Sequence, residues 1–149
     1  MIRVTAPGRA GVIGNPTDGY GGTMIACAIP NRAWVEMEES DRLTVENDGE
    51  KQTLMWRNDF DNRKDRFDIV RSVLRYYHLY DLKADIRFGS DIPVQAGLAG
   101  STALLSAIQS AVLSYIGEKH SPYQLAELNR IIELNYMKCQ CGYQDAYMT

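Results

Sequence analysis

The sequence predicts an α+β fold, a β-meander followed by helices. Up to residue 57, stretches of apolar/polar alternation and short apolar runs are separated by turn-rich loops. Beyond residue 65, apolar side chains recur at helical spacing in three stretches. The strands cluster before the helices and do not alternate with them, so a wholly parallel βαβ sheet is disfavoured. At 149 residues the chain is long enough for one real core, and residues 1–149 read as a single domain.

In order, Ile2 to Ala6 forms a strand, Pro7-Gly8-Arg9 breaks it, and Ala10 to Ile13 resumes it. Gly14 to Gly22 is one long loop, rich in Gly, Pro, Asn and Asp, each a turn former for its own reason. Met24 to Pro30 reads as a buried apolar run. Arg32 to Glu39 alternates, with Ala33, Val35 and Met37 opposite Trp34, Glu36 and Glu38. Arg42 to Asn47 alternates too, and Asp48-Gly49 is a hairpin turn leading to a strand over Gln52 to Arg57. After a polar stretch, a helix runs to about Tyr80 with Phe67, Val70, Val73, Leu74 and Tyr77 inward. Leu82 to Phe88 returns to the sheet. A second helix begins at Ser101 or Thr102, carries Leu104, Leu105, Ile108, Val112 and Ile116 on one side, and ends at Gly117. Ser121-Pro122-Tyr123-Gln124 is a capping-box start for a third helix. That helix runs to about Met137, with Leu125, Leu128, Ile131 and Ile132 inward. A loop carrying Gln144-Asp145 follows, and Thr149 comes with no closing helix, which reads as a chain cut short.

Composition narrows the function classes. A 45% apolar and 23% charged chain is an ordinary globular protein. A net charge of −3 disfavours a dedicated nucleic-acid binder. No apolar run approaches the roughly 20 residues of a membrane span. Cys27, Cys139 and Cys141 are odd in number and lack framework spacing, so a reducing, cytoplasmic setting is expected.

The chemistry-bearing stretch is Asp91 to Ala107. A small-residue loop with Gly97 and Gly100 feeds a helix start, where unpaired amides and the helix dipole favour an anion. It is neither a Walker A loop nor Gly-x-Gly-x-x-Gly. Gly-Leu-Ala-Gly has the shape of a Gly-x-x-Gly nucleic-acid clamp, but its flanks are not basic. Taken alone, a tight strand-to-helix turn explains it equally well. Arg9 alone would be a surface arginine at a turn. Asp18 is the one carboxylate of a loop longer than the usual 4–6 residues or so, and it suits bonding to sugar hydroxyls. Glu133 is a helix glutamate that solvent alone could satisfy. Asp145, flanked by Tyr143 and Tyr147, is either desolvated or paired, unless it is a plain surface loop residue. Cys139-x-Cys141 makes a poor zinc site, and His78 and His120 have no partner pattern.

Together, these motifs resemble the GHMP kinase superfamily. Ala6-Pro7-Gly8-Arg9 through Gly14, Thr17-Asp18 and Gly21-Gly22 is similar to its N-terminal signature. Pro93-x-x-x-Gly97-Leu98-x-Gly100-Ser101-Thr102-Ala103 is similar to its phosphate loop. Glu133 through Cys141-Gly142-Tyr143-Gln144-Asp145 is similar to its segment with a metal-binding glutamate and a catalytic aspartate. Gly14-Asn15-Pro16-Thr17-Asp18 and Gln95-Ala96-Gly97-Leu98-Ala99-Gly100-Ser101 most resemble the glucuronokinase branch, while Asn15-Pro16 departs from the Glu-His of galactokinases.

The resemblance implies a ribosomal-protein-S5-domain-2-like N-terminal domain, with a ferredoxin-like C-terminal domain absent from this chain. It implies ATP phosphates on Gly97, Leu98, Ala99, Gly100, Ser101 and Thr102, and Mg²⁺ on Ser101 and Glu133. Asp145 would act on the acceptor hydroxyl with Arg9 beside it, and Asn15 and Asp18 would hold the sugar. Asn58 to Arg66 would supply part of the adenine contact. The expected function is ATP- and Mg²⁺-dependent phosphorylation of a sugar hydroxyl, best the anomeric hydroxyl of glucuronate or a related sugar. Without a second domain or chain, weak or no activity is expected. The alternatives are a kinase for a non-sugar alcohol such as mevalonate and a non-catalytic nucleotide- or protein-binding module. RNA binding is disfavoured by the acidic pI.

Overall fold

In the computed structural model, which describes residues 1–149, β1 (Ile2–Ile13) and β2 (Ile25–Glu39) form a long antiparallel hairpin. Pro7-Gly8-Arg9 does not break the first strand, contrary to expectation. The register shifts between Pro7 and Arg9 and again between Gly11 and Ile13, so the chain bulges and continues. Bulges of this kind re-aim side chains, and this one sits beside Arg9.

β3 (Thr44–Asn47) and β4 (Glu50–Thr53) pair across Asp48-Gly49, as expected, with both turn residues at positive φ, 50° and 79°. The first strands are nevertheless not a simple meander. β5 (Ala84–Ser90) inserts between β2 and β3, giving the order β1-β2-β5-β3-β4. It runs antiparallel to β2 and parallel to β3, with Ile86 beside both Met37 and Val45. A parallel neighbour needs a long crossover. Here β4, a 3₁₀ turn (Arg57–Phe60) and helix α1 (Asp68–Tyr76) provide it. Arg71 of α1 anchors that crossover: fully buried, it pairs with Asp65 and Asp68, both at 2.6 Å, and donates to Gln52.

The core lies on one face of the sheet. Ala33, Val35 and Met37 point into it, as the alternation requires, together with Val45, Ile86 and Phe88. Helix α2 (Gly100–Tyr115) crosses this face and is buried nearly all round, the expected composition for a central helix. α1 and α3 (Pro122–Ile132) flank it. The opposite sheet face is polar, with Arg3, Glu36, Glu38 and Arg87 in surface ion pairs.

The other differences have local causes. The apolar run Met24–Pro30 is not buried: Ile25 is 57% exposed, and Met24 and Ala26 line an open pocket against Tyr147 and Met148 near the C-terminus. α1 is shorter than its apolar pattern and stops before His78, which is at φ 55°. The inward face of α3 is Ala126, Asn129 and Ile132, not Leu125, Leu128 and Ile131. Ser106 on α2 takes one bond from that polar face, the Asn129 amide N–H donating to Ser106 Oγ at 2.6 Å. The helix also gives way at Glu133 to a wide π turn (Glu133–Met137). Gln144 to Met148 is a short helix, α4, not a loop. No helix is long and apolar enough to cross a membrane.

Candidate active site

Arg9 is not a surface residue. It is 7% exposed, held between β1, the 91–99 loop and α4. Its Nε donates to Asp145 Oδ1 at 2.7 Å, its NH2 lies 2.6 Å from the same oxygen, and its NH1 donates to the Gly97 carbonyl at 2.7 Å. Its backbone amide donates to the Leu98 carbonyl at 3.0 Å. Gly8 makes that approach possible, because a Cβ there would sit 2.9 Å from the Leu98 oxygen. Asp145, between its tyrosines, is therefore paired.

The loop ahead of α2 carries three left-handed residues at alternate positions, Gln95, Gly97 and Ala99, at φ 57°, 69° and 56°. Two of these have a Cβ, and such strain, about 1–3 kcal/mol per residue, survives where surrounding structure enforces it. Two of the loop carbonyls are drawn back onto Arg9. The first intrahelical donor of α2 is Ala103, bonded to Ala99 O. The amides of Gly100, Ser101 and Thr102 are thus left without an intrahelical acceptor, as at any helix start. Left-handed alternation plus free amides makes an anion-binding nest.

Glu133 is buried at the head of the π turn, a geometry often found at functional sites. Thr102, not Ser101, reaches it: the Thr102 hydroxyl donates to Glu133 Oε1 at 2.6 Å. Oε2 is buried without a hydrogen-bond partner. Burial pushes the Glu133 carboxyl above the usual glutamate range; the Thr102 hydroxyl and then the Cys141 thiol oppose this, and the nearby Asp145 charge adds to it. The Cys141 thiol, beside Glu133, is pushed up to about 12, by burial first and by the Glu133 charge next. It stays protonated and is no nucleophile at neutral pH. Ser101 is exposed at the helix start.

Asp18 lies in a 3₁₀ turn (Thr17–Tyr20), and its Oδ2 accepts the Gln144 backbone N–H at 2.8 Å. A Cβ on residue 142 would run into that carboxylate, so Gly142 is required for the contact.

These residues surround two adjoining clefts. One, of about 480 Å³, is lined by the loop from Pro93 to Ser101 with Arg9, Asp145 and Ile69. The other, of about 530 Å³, is lined by Asn15, Asp18, Thr102, Glu133 and Cys141. Arg9, Ser101 and Asp145 belong to both. Every residue that the motifs single out for a site thus falls on one of the two clefts. The Asn58–Arg66 stretch does not; Ile69 of α1 is the nearest residue in sequence that does. Gln144, which joins Asp18 to Arg9, carried no sequence signal beyond its place before Asp145.

No three His, Cys, Asp or Glu side chains converge on a metal position. The donor set instead suits a hard ion that takes one or two protein oxygens and completes its shell with phosphate oxygens, as Mg²⁺ does. The buried Glu133 Oε2, which has no hydrogen-bond partner within bonding geometry and only the weak Cys141 thiol donor nearby, is the feature that fits it.

A family model described as the GHMP kinases N terminal domain matches residues 67–149. The galactokinase of Thermosipho africanus (strain TCF52B) is 28% identical over 151 residues, covering 98% of this chain and 42% of its own length. That of Thermotoga maritima is 25% identical with the same coverage. The chain spans about two fifths of the length of these curated relatives. A solved D-glycero-D-manno-heptose 1-phosphate kinase from Bacteriodes thetaiotaomicron superposes with TM-score 0.85 at 22% identity, covering 99% of this chain and 52% of that one. Lactococcus lactis galactokinase, solved in complex with galactose, superposes with TM-score 0.80 at 17% identity, covering 98% and 40%. At such identities the structures speak for a shared fold.

Proposed function

The chain belongs to the GHMP kinase family through its N-terminal domain, and on that footing we propose that it forms the nucleotide half of a kinase for a sugar hydroxyl. The observation that carries this reading is the meeting of the two clefts at Arg9, Ser101 and Asp145. One side offers free amides to phosphate; the other offers carboxylates to an acceptor. Phosphoryl transfer needs little covalent help and is driven by positioning and charge neutralisation.

In this reading the amides from Gly97 to Thr102 hold the ATP phosphates, and Asp18 with Asn15 holds the acceptor. Asp145 takes the hydrogen bond, and then the proton, of the attacking hydroxyl, while Arg9 keeps its carboxylate aimed. Glu133 Oε2 and the Ser101 hydroxyl are the groups that would hold Mg²⁺, with Thr102 orienting Glu133. Bound there, Mg²⁺ supplies neutralisation of phosphate charge. A second domain or chain closing over the clefts would exclude water.

The motif resemblance points to the anomeric hydroxyl of glucuronate or a related sugar. Arg9 is the one cation lining either cleft, and its three nitrogens are engaged. A uronate carboxylate would find no free cation lining these clefts, so neutral sugars stand ahead of glucuronate. Transfer of labelled γ-phosphate to a panel of neutral sugars, uronates, mevalonate and homoserine tests the proposal. Turnover of a sugar supports it. Turnover of mevalonate or homoserine alone would overturn the sugar assignment, and nucleotide binding without any transfer would favour a binding module.

A further inference from the structure

We infer that Gln144 is a positioning residue for the transfer, tying the acceptor-side carboxylate of Asp18 to the Arg9–Asp145 pair. The inference rests on reading the clefts as a kinase site. Gln144 is 4% exposed. Its backbone N–H donates to Asp18 Oδ2 at 2.8 Å. Its side-chain amide is assigned with the oxygen toward Arg9, because the opposite orientation sets the NH₂ group against the guanidinium donors; so placed, the oxygen accepts from Nε at 2.8 Å and NH2 at 2.9 Å. These are the two nitrogens that hold Asp145 Oδ1. The third, NH1, holds Gly97 O. The guanidinium is thus shared among a carboxylate, a neutral amide and a loop carbonyl.

The choice of side chain follows from that sharing. A buried guanidinium with an unfilled N–H loses a hydrogen bond at full desolvation cost. A second carboxylate at 144 would compete with Asp145 for the same two nitrogens. A neutral acceptor shares the fork with Asp145 and leaves the charge pairing to it. The strand opposite is bare for the same purpose: a Cβ on Gly11 would lie 3.2 Å from the Gln144 amide. Because residue 144 is bonded through its backbone to Asp18 and is followed directly by Asp145, the acceptor carboxylate and the reacting carboxylate are held in one frame.

Two variants test this. Gln144→Leu keeps the backbone N–H to Asp18 and removes the side-chain acceptor. With ATP, Mg²⁺ and galactose as the probe acceptor, kcat should fall about 10–100-fold, the scale of a small misplacement of a reacting group, while the galactose KM stays within about twofold. Gln144→Glu should approach wild-type activity at low pH, where its protonated carboxyl imitates the amide. Its activity relative to wild type should fall as pH rises and it ionises beside Asp145. A residue that only supports the fold would give no such pH-dependent ratio. In parallel, the Arg9 Nε–H resonance of ¹⁵N-labelled chain should shift in both variants. An unchanged kcat for Gln144→Leu, a pH-independent ratio for Gln144→Glu, or an Arg9 resonance that does not move would each overturn the inference. If wild type phosphorylates no acceptor, the kinase reading fails on its own, and the Arg9 resonance still decides whether Gln144 positions the pair.

Discussion

Arg9 binds one oxygen of Asp145 with two nitrogens, Nε at 2.7 Å and NH2 at 2.6 Å, and uses its remaining nitrogen on the Gly97 carbonyl at 2.7 Å. One side chain from β1 therefore sets the spacing between the loop ahead of α2 and the Asp145 carboxylate. Arg9→Lys keeps the charge but cannot span three acceptors. It should lower transfer by about 10²–10³-fold, the usual cost of losing a preorganised polar contact. Arg9→Met should also destabilise the chain by about 1–3 kcal/mol in urea unfolding, less than the ~3–5 for a fully buried pair, because Asp145 keeps contact with water. An Arg9→Lys variant with wild-type turnover would show that the bidentate grip is unnecessary.

Glu133 predicts an opposed pH dependence of stability and metal binding. Its folded-state carboxyl holds the proton more tightly than in the unfolded chain, chiefly through burial. The folded state thus binds more protons between the ordinary glutamate range and the raised pKa. Stability of the metal-free chain should fall as pH rises through that interval and then level off. Mg²⁺ binding needs the carboxylate and should strengthen over the same interval. Glu133→Gln should flatten both slopes, with no loss of metal-free stability at neutral pH. Unfolding midpoints and Mg²⁺ titrations across pH measure the two together.

Thr102 and Ser101 should separate. Thr102→Val removes the hydroxyl that donates to Glu133 Oε1 while conserving shape. It should weaken Mg²⁺ dependence about 10–100-fold, as outer-shell changes do, and push the Glu133 carboxyl further up. Ser101→Ala, at an exposed position, should leave the fold and the Glu133 titration unchanged and lower only Mg²⁺-dependent nucleotide affinity. Equal effects of both on Glu133 titration would contradict the pairing.

Local patterning carried much of this architecture. The alternation of Ala33, Val35 and Met37, the Asp48-Gly49 turn and the capping box at Ser121 are short-range features, and each stands as read. What was not legible depends on partners far along the chain. β5 enters between β2 and β3 through pairings that join residues as far apart as Ala33 and Ser90, which no local period encodes. The inward face of α3 contains Asn129, whose amide N–H donates to Ser106 Oγ, so hydrophobicity alone selects Ile132 rightly but misplaces Leu125, Leu128 and Ile131. The motif residues were legible as a set. The use of Thr102 in place of Ser101 to hold Glu133, and the link from Asp18 through Gln144 to Arg9, depend on side-chain directions that spacing does not give.

Acceptor charge is the fourth expectation. The clefts hold Asp18, Glu133 and Asp145 against the fully engaged Arg9. Anionic acceptors should bind more weakly than neutral sugars of the same size, and added salt should narrow the gap by screening repulsion. Competition titrations of paired neutral sugars and uronates at two ionic strengths read this directly. Tighter uronate binding that weakens with salt would mean that a cation from outside these clefts completes the acceptor site.

In the proposed function, the loop from Gly97 to Thr102 and Glu133 together form an ATP–Mg²⁺ cradle. Calorimetric titration of the chain with a non-hydrolysable ATP analogue, with and without Mg²⁺, in wild type and Glu133→Gln, tests it most directly. Binding that Mg²⁺ strengthens in wild type, and no longer strengthens in Glu133→Gln, is the predicted result. No binding, or binding of equal strength in all four titrations, would contradict it.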